Sequence, residues 1–136
     1  MTDKELLEKA IAAREFAYAP YSNHRVGAAL LGKSGKLYTG CNVENAAYTP
    51  TNCAERTAIF KAVSEGELEF SAIAVVGGIG DKLSEVCAPC GVCRQVMAEF
   101  CDKDMRIVMG TPEKITVSTL ADLLPLSFGK NDLNKH

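Results

Sequence analysis

The apolar positions fall into helical and strand periods that alternate along the chain. Leu6, Leu7, Ala10, Ile11, Ala13 and Ala17 recur at helical spacing, and Thr2 with Glu5 forms a capping-box pattern just ahead of them. Pro20 closes this helix, and Ala19-Pro20-Tyr21-Ser22-Asn23 reads as a loop. The apolar run Val26 to Leu31, the turn Lys33-Ser34-Gly35-Lys36 and the returning stretch Leu37 to Val43 predict a β-hairpin. A second helix begins near Asn52, where Asn52 and Glu55 have cap-and-N3 spacing. Ala58, Ile59, Ala62 and Val63 give it an apolar stripe that stops at Gly66. Phe70 to Val76 predicts a buried strand closed by Gly77-Gly78. A third helix runs from about Cys90 to Cys101, with Cys93, Val96, Met97 and Phe100 on one face. Met105 to Met109 and Lys114 to Val117 are short strands, and Thr119 to Leu124 is a short helix ending at Pro125.

Strands alternating with helices late in the chain call for crossovers over a sheet covered on both faces. The expected class is α/β: a three-layer α/β/α fold with a mixed sheet of about five strands. A length of 136 residues, without repeats or long linkers, fits a single domain over 1–136.

Composition narrows the function. A hydrophobic share of 47% with 24% charged residues excludes a disordered or collagen-like chain. Fifteen Lys and Arg against seventeen Asp and Glu leave −2, which is no footprint for nucleic acid or an anionic membrane. The longest apolar run, near Ser71–Gly80, is about half of what a spanning helix needs. The charged start MTDKELLEKA lacks the apolar core of a signal peptide, so a cytoplasmic location is expected. Thiols stay reduced there, and the six cysteines point to metal binding or catalysis.

The cysteines supply the chemistry. Cys53-Ala54-Glu55 opens the second helix, and Pro89-Cys90-Gly91-Val92-Cys93 opens the third. Cys90 and Cys93, three apart, share one helix face and can grip one ion. A third ligand, Cys53, leaves a fourth tetrahedral position for water, which is the catalytic zinc arrangement. Helix N-termini also favour the thiolates that zinc requires. Glu55 then stands beside the metal as a proton carrier and not as a fourth ligand. A redox pair is the alternative for the C-x-x-C. Cys87 precedes Cys90 by three, but Pro89 separates it from the helix; Cys41 and Cys101 read as packed thiols.

A Cys or His followed by x-Glu and then P-C-x-x-C is a known signature of zinc deaminases of nucleobases. Beyond it, YAPYS, VGAALL, GCNVENAAY, CAERTA, KAVSEG, PCGVCRQV and the tail around Asp122-Leu123-Leu124-Pro125 and Ser127-Phe128-Gly129 closely resemble the short, tetrameric cytidine deaminases. The resemblance covers nearly the whole chain. It implies hydrolytic deamination of cytidine and 2′-deoxycytidine, with release of ammonia, in pyrimidine salvage. It implies one Zn²⁺ per subunit on Cys53, Cys90 and Cys93, hydroxide attack at C4 of the ring, and Glu55 taking the water proton, passing it to N3 and later delivering a further proton to the leaving ammonia. Asn42 and Glu44 match the residues that bind the ribose hydroxyls, and the backbone of Ala54 and Cys90 is expected near the base. Where the family usually has Phe, this chain has His24, an imidazole that can stack on base or sugar and add a hydrogen bond. Three thiolates with Zn²⁺ sum to −1, and Arg56 matches the arginine that offsets this charge, with Arg94 in a similar part. Phe128 matches a C-terminal Phe that enters a neighbouring subunit's site in a homotetramer of 222 symmetry. The expected partners are therefore a nucleoside and copies of the same chain, with no nucleic acid and no membrane. Competing readings are a deaminase of blasticidin S, a non-catalytic zinc-stabilised module, and a nucleic-acid editing enzyme. The ribose-facing pair, an intact Glu55 and the lack of a basic groove weigh against them in turn.

Overall fold

The structure is a computed structural model that describes residues 1–133. Helix α1 (Asp3–Arg14) has the anticipated capping box, with Thr2 and Glu5 each accepting the other's backbone N–H. Strands β1 (His24–Gly32) and β2 (Leu37–Cys41) form the hairpin, and Gly35 takes the left-handed turn position at φ 93°. Helix α2 (Ala54–Ser64), strand β3 (Phe70–Ile79), helix α3 (Gly91–Phe100) and strands β4 (Arg106–Thr111) and β5 (Lys114–Thr119) follow. Two single-turn helices, α4 (Leu120–Leu123) and α5 (Lys130–Leu133), end the described chain.

The five strands lie in the order β2-β1-β3-β4-β5. Only β3 and β4 are parallel, so the connection between them must cross over, and α3 lies on it. The sheet separates two apolar clusters. Ala29, Ala72, Ala74, Val76 and Val108 face Leu6, Leu7 and Ala10 of α1. The alternate positions Ala28, Leu30, Ile73, Val75, Ile107 and Met109 face Ala58, Ile59 and Met97 of α2 and α3. This is the expected three-layer α/β/α arrangement with a mixed sheet. The near-continuous apolar run of β3 is the mark of a strand covered on both faces.

Boundaries differ from expectation at several points. Helix α1 ends at Arg14 with Glu15 as its cap, short of Ala17 and well before Pro20, because Tyr18 turns away to pair with Val43 and donates its N–H to Asn42 O. Strand β1 begins at His24, two residues ahead of Val26, and β5 runs to Thr119. Helix α2 is capped by Cys53, not Asn52, because the Asn52 backbone pairs with Val43 and its side chain donates to Thr57 Oγ1 at 3.1 Å. Val43 is thereby drawn out of β2, which stops at Cys41. Strand β3 runs through Gly77 and Gly78 to Ile79, since these glycines keep their pairing with Val26 and Arg25. They lack a Cβ because other atoms occupy its place: at Gly78 it would lie 2.0 Å from Lys82 O. At Gly40 of β2 a Cβ would lie 2.6 Å from Ala54 O, so this glycine lets the start of α2 seat against the sheet. Among the described residues, no helix is long and apolar enough to cross a membrane.

Candidate active site

The two helix starts meet at one point. Cys53 is the N-cap of α2, while Cys90 is the N-cap of α3 and Cys93 lies one turn inside it. A cap residue leaves the helix path, which lets its side chain reach past the end toward the neighbouring helix. The three Sγ atoms lie within 4.8 Å of one another, with Cys53 and Cys90 3.7 Å apart and Cys90 and Cys93 3.4 Å apart. Zn–S bonds of about 2.3 Å in a tetrahedron space sulfurs about 3.8 Å apart, so the triad fits zinc. Cys53 makes no side-chain cap bond of its own, which leaves its sulfur to the cluster. Donation from Cys93, then from Arg56 and Cys90, against the opposing effect of burial, pulls the Cys53 thiol down to about 5. The same proton sharing pushes Cys93 up.

Arg56 lies at the third position of α2 and donates through Nη2 to Cys53 Sγ at 3.1 Å. Its Nε is buried and lacks a hydrogen-bond partner among the described residues. A cation aimed at the sulfurs, with a donor to spare, matches the surplus negative charge of three thiolates around a divalent metal. Arg94 differs from expectation. Its Nε donates to Pro89 O and its Nη1 to Leu123 O, both at 2.7 Å, so it braces the loop ahead of Cys90 by way of carbonyls.

A cleft of about 260 Å³ opens in front of the triad. Cys53, Cys90, Ala54 and Glu55 line it together with His24, Asn42, Glu44, Ser22 and Val26. Six residues singled out from the sequence as substrate-facing or catalytic (His24, Asn42, Glu44, Ala54, Glu55 and Cys90) thus share one cavity. Glu55 is only 3% exposed, and burial pushes its carboxyl up to about 7, with the charge at Cys53 adding to the rise. Ala54 begins α2, where a helix leaves its backbone N–H groups without intrahelical acceptors.

Glu44, Ser22 and Asn42 of the lining are held by a hydrogen-bond frame that the sequence did not disclose. Glu44 Oε1 accepts from the backbone N–H groups of Tyr21 and Ser22, at 3.0 and 3.2 Å, and the Ser22 hydroxyl donates to Oε2. The Ser22 hydroxyl and these amides hold the Glu44 carboxyl below its ordinary range. Ser22 Oγ also accepts from His24 N. Asn42 is buried, with Oδ1 accepting from Val26 N at 2.9 Å and Nδ2 donating to His24 O at 2.8 Å. Each end of its carboxamide keeps one further hydrogen-bonding position.

Phe128 does not line this cleft in its own chain. It is 60% exposed in the tail, and its carbonyl accepts from Gln95 Nε2. Cys87 stands outside the triad, as Pro89 predicts, but its side chain lines the cleft and burial pushes its thiol up to about 11. Cys41 and Cys101 are half-buried thiols at the ends of β2 and α3.

The fold and the triad define a zinc-dependent hydrolase of the nucleobase-deaminating class. Residues 1–111 match the cytidine and deoxycytidylate deaminase zinc-binding region. The chain is 50% identical over 135 residues to a cytidine deaminase of Sporosarcina psychrophila, covering 98% of this chain and 96% of the relative. A solved cytidine deaminase from Burkholderia pseudomallei superposes with a TM-score of 0.87 at 50% identity, over 94% of this chain and 100% of that one. A blasticidin-S deaminase of Bacillus cereus is 31% identical, over 95% of this chain and 94% of its own. The chain belongs to the cytidine deaminase family, in its short form, and its activity is the zinc-dependent deamination of cytidine.

Proposed function

We propose that the cleft binds cytidine and 2′-deoxycytidine with the base toward the triad and the sugar toward Asn42 and Glu44. What carries this reading is that one cleft brings together a buried carboxyl beside the sulfurs and a carboxylate and carboxamide already fixed by hydrogen bonds. Zinc held by Cys53, Cys90 and Cys93 supplies a Lewis acid that makes water acidic enough to act as a nucleophile near neutral pH. Glu55 takes one proton from the attacking water and delivers it to N3; it then takes the proton of the new C4 hydroxyl and gives it to the amine, which leaves as ammonia as the C4–N bond breaks and the carbonyl forms. The backbone at Ala54 and Cys90 orients the base. Glu44 accepts a hydrogen bond from a sugar hydroxyl, and its carboxylate is already oriented by Ser22 and Tyr21. His24 offers its ring to base or sugar, and Arg56 tempers the charge of the thiolates.

The test is ultraviolet absorbance with cytidine and 2′-deoxycytidine, ammonia release as the check, and blasticidin S side by side. Conversion of both nucleosides to their uridine forms, well above any action on blasticidin S, is expected. Preference for blasticidin S overturns the sugar assignment.

The same reading makes the protein a cytoplasmic enzyme of pyrimidine salvage, a single domain assembled as a homotetramer with Phe128 reaching a neighbouring site. Phe16, Tyr48, Leu126 and Phe128 are all more than half exposed, a quantity of apolar surface that suits burial between copies. Phe128→Ala is expected to raise KM for cytidine by about tenfold, the transfer value of a partly buried aromatic, with kcat little changed. An unchanged KM removes Phe128 from the site, and a monomeric mass in solution by light scattering removes the shared site altogether.

A further inference from the structure

Arg14 ends α1, is 4% exposed and does not line the cleft. Its guanidinium donates only to backbone carbonyls in the contacts it makes. Nε reaches Arg25 O at 2.8 Å, and Nη2 faces Gly78 O at 2.9 Å, Gly80 O at 2.6 Å and Lys82 O at 3.0 Å. Among the described residues no carboxylate forms an ion pair with it; the nearby Asp81 pairs with Arg25 at 3.9 Å. A buried cation without a counter-charge is unfavourable in itself, and an apolar side chain of similar size would fill the space. The gain must be in what the four carbonyls hold together.

They hold the far wall of the cleft. Arg25 lies between His24 and Val26, both of which line the cavity, and Val26 N donates to Asn42 Oδ1. Gly80 N donates to Asn23 O at 3.0 Å, beside His24, and Asn23 is held in the left-handed region at φ 57°. The strap 82–84 folds back on β3 through Ser84 N to Gly77 O at 2.8 Å, a path that needs the bare Cα of Gly78. Arg14 is the point where β1, the end of β3 and this strap meet. The metal-side wall has a separate anchor, because Arg94 fixes Pro89 O directly ahead of Cys90.

We propose that Arg14 is a positioning residue for substrate binding: it sets the place of His24, Val26 and, through Val26, Asn42, without touching the nucleoside. This rests on the assignment of His24 and Asn42 to the substrate. Two anchors for two walls make the effect separable, since loosening the Arg14 wall weakens binding while the triad and Glu55 stay in place.

The experiment is steady-state cytidine kinetics with zinc analysis and far-ultraviolet circular dichroism on Arg14→Met, Arg14→Lys, Gly78→Ala and Asn42→Ala. Arg14→Met is expected to raise KM by about ten- to a hundredfold, the scale of an ångström-sized misplacement, with kcat within about threefold and zinc content unchanged. A rise in KM without loss of kcat is the signature of lost binding common to ground and transition states. Arg14→Lys, which keeps the charge but not the fork, recovers part of the loss. Gly78→Ala keeps the Arg14 side chain but displaces Lys82 O, one of its acceptors, and gives the same signature; it and Arg14→Lys decide the matter if Arg14→Met does not fold. Folded variants with an unchanged KM overturn the proposal, as does a loss of zinc and kcat at constant KM. Asn42→Ala separates the two assignments: if its KM is also unchanged, the sugar-side reading of the cleft has failed, and if its KM alone rises, only the role of Arg14 has.

Discussion

Glu55→Gln is expected to lose at least about a thousandfold in kcat for cytidine while keeping its zinc. General acid–base catalysis contributes about 10²- to 10⁴-fold, and here one carboxyl serves several proton transfers in the same turnover. The substitution is nearly isosteric, so a side chain that is 3% exposed is replaced without leaving a cavity. The amide can still hydrogen-bond but cannot carry a proton from water to the ring. The sulfurs come from Cys53, Cys90 and Cys93, none of which is touched, so metal content measured by atomic absorption stays at the wild-type level. Binding of a cytidine analogue, followed by calorimetry, is expected to change by less than about tenfold, since the substitution leaves Asn42, Glu44 and their hydrogen-bond partners unchanged. Turnover within about tenfold of wild type would place the proton carrier elsewhere in the cleft.

Much of this was legible in the sequence because it is local. A capping box, a Gly-containing hairpin turn and an apolar run bounded by glycines each act within a few residues, and α1, the β1–β2 hairpin and the start of β3 all follow from them. The triad was legible for a related reason. Both of its halves lie at helix starts, where free N–H groups favour thiolates and side chains can reach beyond the helix end, and this holds whether Asn52 or Cys53 is the cap. What was hidden depends on residues distant in sequence. Asn52 looks like a cap until Val43 claims its backbone. Ser22 is an unremarkable loop residue until Glu44, 22 positions away, is brought beside it. Arg14 reads as an ordinary cation at a helix C-terminus, and nothing in its neighbourhood along the chain says that its acceptors lie 11 to 68 residues on. Phe128 belongs to the same class, because its proposed site is on another copy of the chain.

Removing zinc is expected to abolish turnover and leave the fold standing. The two apolar clusters on either face of the sheet are built from α1, α2, α3 and the strands, and of the three sulfurs only that of Cys93 comes from a residue buried in the core. Helices α2 and α3 are therefore held by packing along their length, and the metal only joins their tips. Dialysis against a chelator should give a protein with an unchanged far-ultraviolet spectrum and no deamination, and zinc added back should restore the rate. Stability will fall all the same, because a ligand that binds only the folded chain adds about 4 kcal/mol at a thousandfold excess over its Kd. For a chain of this size that is on the order of 10 °C in Tm. Arg56 sharpens the test: without the metal its guanidinium still faces Cys53, so the Cys53 sulfur is kept ready for zinc and recovery should be rapid. Unfolding on chelation would make the triad a structural staple, and turnover without metal would detach it from the reaction; loss of rate with the fold intact and recovery on zinc addition is the outcome that a catalytic centre at two packed helix starts requires.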